Sequence, residues 1–211
     1  MTKQRICGLA GACIVLLSGC VPCFQPSARL SGPIENAHTI DTVVRVPRTT
    51  AGIVDIDTLL SDVGEEVQNA LSGAYLSGML FSGKATDLAT LDGTIVFAYT
   101  DVRYRVLYRE ITLVFARVET EQGTLRIRTM DATDRSISMD RLEIDKYLPL
   151  EDIAAIALAQ LQAMGLQEHV ITLTRLQREP WVLVCNAIGT PQQGCSFEID
   201  ATTGEITDTG Q

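Results

Sequence analysis

Two histidines, His38 and His169, serve a chain of 211 residues. That is little material for a metal centre, or for a serine or cysteine nucleophile needing an imidazole base. The G-x-S-x-G, H-E-x-x-H, P-loop and G-x-G-x-x-G patterns are all absent. Basic residues are outnumbered, 17 Lys and Arg against 26 Asp and Glu, for a net charge of −9. Nucleic-acid binders release counterions through a basic surface, so that class is disfavoured. The apolar run from Ile6 to Leu17 is about half the ~20 residues that a transmembrane helix needs. These shortages predict a non-catalytic protein with no cofactor, no metal and no nucleic-acid partner.

The paired carboxylates Glu65-Glu66 and Glu151-Asp152 fall on helical surfaces near caps, where they serve solubility. Asp131, Asp134, Asp140 and Asp145 could gather calcium, but their spacing matches no EF-hand loop. At 46% hydrophobic and 20% charged, the composition is that of a globular chain, with room for one domain or two small ones.

The N-terminus is an address. Lys3 and Arg5 make a positive n-region, the short apolar run follows, and then comes Leu17-Ser18-Gly19-Cys20. This resembles the bacterial lipobox. The resemblance implies a signal peptide over residues 1–19, diacylglyceryl transfer to the Cys20 sulfur, cleavage before Cys20 and acylation of the new amino group. The protein is then expected at the cell membrane, lipid-anchored on the extracytoplasmic side. Val21 is not the Asp that favours inner-membrane retention, so either membrane stays open. Loss of Lys3 and Arg5 leaves 15 basic against 26 acidic residues, or −11. Such a body is repelled by an anionic surface and needs its tether.

Cysteine usage fits an exported chain. Cys7 and Cys13 leave with the signal. Cys185 and Cys195 each sit in a strand-like run, with Gly189, Pro191 and Gly194 between them. A hairpin there sets them opposite each other for a disulfide; two independent buried thiols are the alternative. Cys20-Val21-Pro22-Cys23 has C-x-x-C spacing, but neither strand nor helix flanks it and lipid would block Cys20. Cys23 is a spare thiol or a further modification site.

Residues 20–50 read as a flexible tether with a short strand at Thr42–Val46. A helix starts near Asp57, capped by Asp55 or Asp57, with Leu60, Val63, Val67, Ala70 and Leu71 on one face and Gly73 as its stop. Strand-like runs follow at Tyr75–Phe81, Thr94–Arg105, Tyr108–Glu119 and Leu125–Met130. A second helix begins at Pro149, carries Ile153, Ile156, Ala157, Leu161 and Met164 on its stripe and ends at Gly165. Strands are expected at Val170–Leu176, Trp181–Ala187, Cys195–Ile199 and Glu205–Thr207. The fold class is therefore α+β, in two units over 51–145 and 146–211. Each unit is expected to be one helix packed on a four-stranded antiparallel sheet.

Arg103, Arg105, Arg109, Arg126 and Arg128 alternate with tyrosines and aliphatics and form the local basic cluster of an acidic chain. They make either a solvated face paired with Glu119 and Glu121, or a binding face for an acidic partner or a glycan.

Leu150-Glu151-Asp152-Ile153-Ala154-Ala155-Ile156-Ala157, Trp181-Val182-Leu183-Val184 and Phe197-Glu198-Ile199-Asp200-Ala201-Thr202-Thr203-Gly204-Glu205-Ile206 together resemble a PepSY domain. The match spans about 60 residues, and its cysteine-bearing hairpin departs from the family pattern. Asp200 is suited to bond amides across the last turn, and Gly204 to take positive φ. The resemblance implies a small envelope module without catalytic residues, in a family for which peptidase inhibition has been proposed. The expected function is a membrane-anchored protein-interaction module that binds or inhibits a peptidase. The alternatives are a small-ligand or glycan-binding protein using the Arg/Tyr face, and a purely structural surface protein.

Overall fold

The computed structural model describes residues 39–104, 109–132, 140–176, 179–186 and 194–208. The lipobox with Cys20, and also Cys7, Cys13, Cys23, His38, Arg105 and Asp134, lie outside the described residues.

Helix α1 spans Ile56–Ala70 because Asp55 caps it. The Asp55 carboxylate accepts the Thr58 amide at 3.0 Å and the Thr58 hydroxyl at 2.9 Å, satisfying a donor that the first turn leaves orphaned. Its buried stripe is Ile56, Leu59, Val63 and Val67. Leu60 and Leu71 are only partly buried and Ala70 is exposed, so the inward face is turned from the expected one. Helix α2 spans Leu150–Ala163 and buries Leu150, Ile153, Ala154, Ala157 and Leu161. Gly165, at φ +72°, follows its end, and Met164 is 46% exposed. Glu151 of α2 accepts the Ile56 amide of α1 at 3.4 Å, joining the two helix starts.

Nine strands are described: β1 Thr39–Val43, β2 Tyr75–Lys84, β3 Thr94–Tyr104, β4 Arg109–Glu119, β5 Thr124–Ala132, β6 Val170–Leu176, β7 Trp181–Asn186, β8 Cys195–Ile199 and β9 Ile206–Asp208. They make one sheet in the order β1-β5-β4-β3-β2-β6-β7-β8-β9, antiparallel at every pairing. The expectation of two units, each with its own four-stranded sheet, is therefore corrected. The meanders β2–β5 and β6–β9 share a seam at β2–β6, with Leu80 opposite Thr174 and Phe81 opposite Leu173. Two separate meanders would expose four edges of unpaired backbone groups. The seam pairs two of those edges.

The β2–β3 ladder slips between Leu76 and Gly78. Side chains alternate with period two, so Leu76 and Phe81 would otherwise point to opposite faces. With the slip, Leu76 opposes Tyr99 and Phe81 opposes Ile95, and all four join one core. That core holds both helices against one sheet face, with Phe97, Val114, Ile127, Leu173, Leu183, Phe197 and Ile199 beneath them. On the other face stand Leu80, Val96 and Phe115, outside that core, with Thr174 beside them in register. Among the described residues, no helix is long and apolar enough to cross a membrane.

Candidate functional site

Cys185 and Cys195 face each other in the β7–β8 register and form a disulfide, with Cα atoms 5.0 Å apart. The bridge closes a loop ten residues along the chain. Cys185 is fully buried in the core, so the cross-link also fixes a packed position.

The expected arginine face is divided by the register. Arg126 lies opposite Arg117, and Arg128 opposite Phe115, on the face away from the helices. Arg103 opposes Glu110 and Arg109 opposes Tyr104 at the far end of the β3–β4 pair. Phe115 lies six positions along β4 from Arg109, or roughly 20 Å of strand. The structure thus brings Arg126 and Arg128 together with Arg117, which the sequence pattern had not singled out. It places Arg103 and Arg109 at a different level of the sheet.

Two like charges opposite each other, Arg117 and Arg126, destabilise a strand pair unless each finds an acid. Arg117 donates through Nε to Glu119 at 2.7 Å. Arg126 donates through Nε to Asp41 of β1 at 2.6 Å, and the hydrogen bond to this carboxylate raises the guanidinium pKa above its ordinary value. Glu119 takes a further bond from the Thr94 hydroxyl at 2.8 Å. So Glu119 pairs with Arg117, outside the expected cluster, while Asp41 was missed, since it lies in a segment read as tether. The available signal was the alternation Ile40-Asp41-Thr42. The arginines stay wet: the Arg126 and Arg117 side chains are 62% and 40% exposed.

At the opposite end of the chain, Asp200 behaves as the turn residue its motif implies. Its carboxylate accepts the amides of Thr202 at 2.8 Å and Thr203 at 2.7 Å. Those bonds hold its pKa below the usual carboxylate value. Gly204 takes φ +74°, and a Cβ there would meet Ile156 Cδ1 of α2 at 2.6 Å. The turn packs on α2 and its residues serve structure.

His169 sits in the turn between α2 and β6, where its carbonyl accepts the Ala85 amide at 2.9 Å. Asp131 ends in a bond from the Thr112 hydroxyl at 3.3 Å. Among the described residues, no three His, Cys, Asp or Glu side chains gather as a metal site.

The sequence reading singled out neither Arg175 nor Tyr99 as a buried polar group. Arg175 of β6 is 3% exposed, with its guanidinium over the Tyr147 ring. Tyr99 of β3 is 4% exposed. Tyr99 closes the continuous apolar run Ile95–Tyr99, and Arg175 is a charge inside the strand-like run Val170–Leu176; that charge is the signal that could have found it. No family model, no curated protein and no solved structure matches the chain.

Proposed function

We propose that this chain is a lipid-anchored, extracytoplasmic and non-catalytic interaction protein. It engages an acidic protein partner through the row Arg117, Arg126 and Arg128. The observation that carries the reading is the row itself: register gathers three arginines on the sheet face away from the helices, in a chain of net charge −9. A basic strip on an acidic body steers and orients a partner of opposite sign. The exposed Asp41–Arg126 pair contributes little to folding, so a partner carboxylate can replace Asp41 at low cost. The PepSY resemblance makes a peptidase the expected partner class, and the lipobox resemblance puts the encounter at the membrane.

The test uses the full lipidated chain as bait in cross-linked membranes, beside the R126E/R128E variant. The expected result is one stoichiometric peptidase, captured by the parent chain, slowed by it in solution and lost from the variant. A bait with no partner, or equal capture by both, overturns the reading. Cys20→Ser is expected to release the protein from membranes, and retention would overturn the anchor.

A further inference from the structure

Away from the arginine row, α1 and residues 141–146 flank an open groove of about 980 Å³. That is at the upper end of the ~300–1,000 Å³ typical of small-molecule clefts. Tyr99 lines it from the sheet side. The residue is 4% exposed, and its hydroxyl has no hydrogen-bond partner. A buried hydroxyl without a partner is costly, and desolvation keeps this phenol protonated by raising its pKa. What stands at the groove floor is a neutral donor without an acceptor.

On the opposite wall a glycine faces this hydroxyl. A Cβ at Gly64 would lie 3.6 Å from the Tyr99 hydroxyl oxygen. Glycine inside a helix is less favourable than alanine, yet α1 carries it at the turn where the groove meets the phenol. A methyl at this position would sit in ordinary van der Waals contact with the hydroxyl and stand in the way of a ligand oxygen.

The remaining lining selects the ligand class. Ser61, Gln68, Asn69 and Ser72 present hydroxyls and amides that both donate and accept. Charges nearly cancel, with Glu65, Glu143 and Asp145 against Arg141 and Lys146. Lys146 is itself bound to Glu143 at 2.6 Å. A free anion or cation gains little from such a field, whereas a molecule with many neutral hydroxyl and carbonyl groups can meet these side chains one by one.

We propose that this groove binds a short neutral oligosaccharide, with the Tyr99 hydroxyl donating to a sugar oxygen at the floor and Gln68 and Asn69 bonding hydroxyls along the wall. The site is independent of the partner surface, so either can fail without the other.

The experiment titrates the full chain, in a detergent without a sugar headgroup, with maltotriose and with triacetylchitotriose by calorimetry. The expected result is a Kd below about 1 mM for at least one sugar. Tyr99→Phe weakens it about 5- to 10-fold. Gly64→Ala weakens it at least as much while its melting temperature is unchanged or higher, which excludes misfolding as the cause. Lack of binding by both sugars overturns the proposal. So does equal binding by all three proteins, which would leave water as the partner of the hydroxyl. Preferential binding of acetyl-trialanine-amide would overturn the ligand class.

Discussion

The guanidinium carbon of Arg175 lies 3.8 Å from the centre of the Tyr147 ring, under cover that leaves the arginine 3% exposed. Its Nε donates to the Glu179 carbonyl at 3.2 Å, and the Trp181 ring centre is 6.0 Å away. Burial pulls its pKa down, against the attraction of Tyr147 and Asp200. The stacked ring therefore helps to keep a charge under the sheet's end. Tyr147→Ala is expected to cost about 1–2 kcal/mol in urea unfolding, the range of a desolvated cation–π contact with its packing. Arg175→Lys is expected to cost a similar amount, because an ammonium cannot stack as a planar fork does.

The seam makes its own demand. A Cβ at Gly78 would meet Leu176 Cδ2 at 2.7 Å and the Arg175 carbonyl oxygen at 3.0 Å. Gly78→Ala should destabilise the fold by roughly 1–3 kcal/mol, as overpacking does. Differential scanning calorimetry reads this, and an unchanged melting temperature would mean that the β2–β6 spacing is looser than described.

Reducing the Cys185–Cys195 bridge frees a loop of ten residues. The chain-entropy argument gives a loss of about 2–3 kcal/mol. Chemical denaturation of C185A/C195A should show it, with Cys185→Ala also losing a buried position in the core.

Asp55, Asp92 and Asp200 all have pKa values below the ordinary carboxylate value of 3.8. The main causes are the Thr58 amide for Asp55, Arg48 for Asp92 and the Thr203 amide for Asp200. A lowered folded-state pKa means that the unfolded chain takes the proton first as pH falls. The stabilisation is thus complete above the unfolded value and is lost on descending through the folded one. Melting temperature should fall between about pH 5 and pH 2. D200N should fall less steeply, since its amide oxygen still accepts bonds but has no charge to lose.

Much of the fold was legible. The runs at 94–105, 170–176 and 195–199 match β3, β6 and β8 to within a residue, because period-two patterning is a local property. Asp55 and Gly165 punctuate the helices as their chemistry requires. The seam was not legible, since nothing within β2 or β6 says which edge each will share. Nor was the slip at Ser77, which breaks the alternation that the reading relied on. The apolar pattern of α1 offers both Leu59 and Leu60, and only packing on the sheet selects Leu59 as the fully buried one. Of the candidate site, the cysteine pair was found through its turn residues. Arg103 and Arg109 were grouped with Arg126 and Arg128 because proximity in sequence hides a long hairpin.

The Thr174 hydroxyl reaches the Met79 carbonyl across 95 residues of chain. During synthesis, the first meander can therefore close from neighbouring hairpins long before β6 has emerged. Throughout that interval β2 offers a bare hydrogen-bonding edge with Leu80 and Phe81 on it, a template for any passing strand. The last fifth of the chain, from residue 170 on, thus shields the edge of the first meander, and a nascent chain halted before residue 170 would be the species most prone to aggregate.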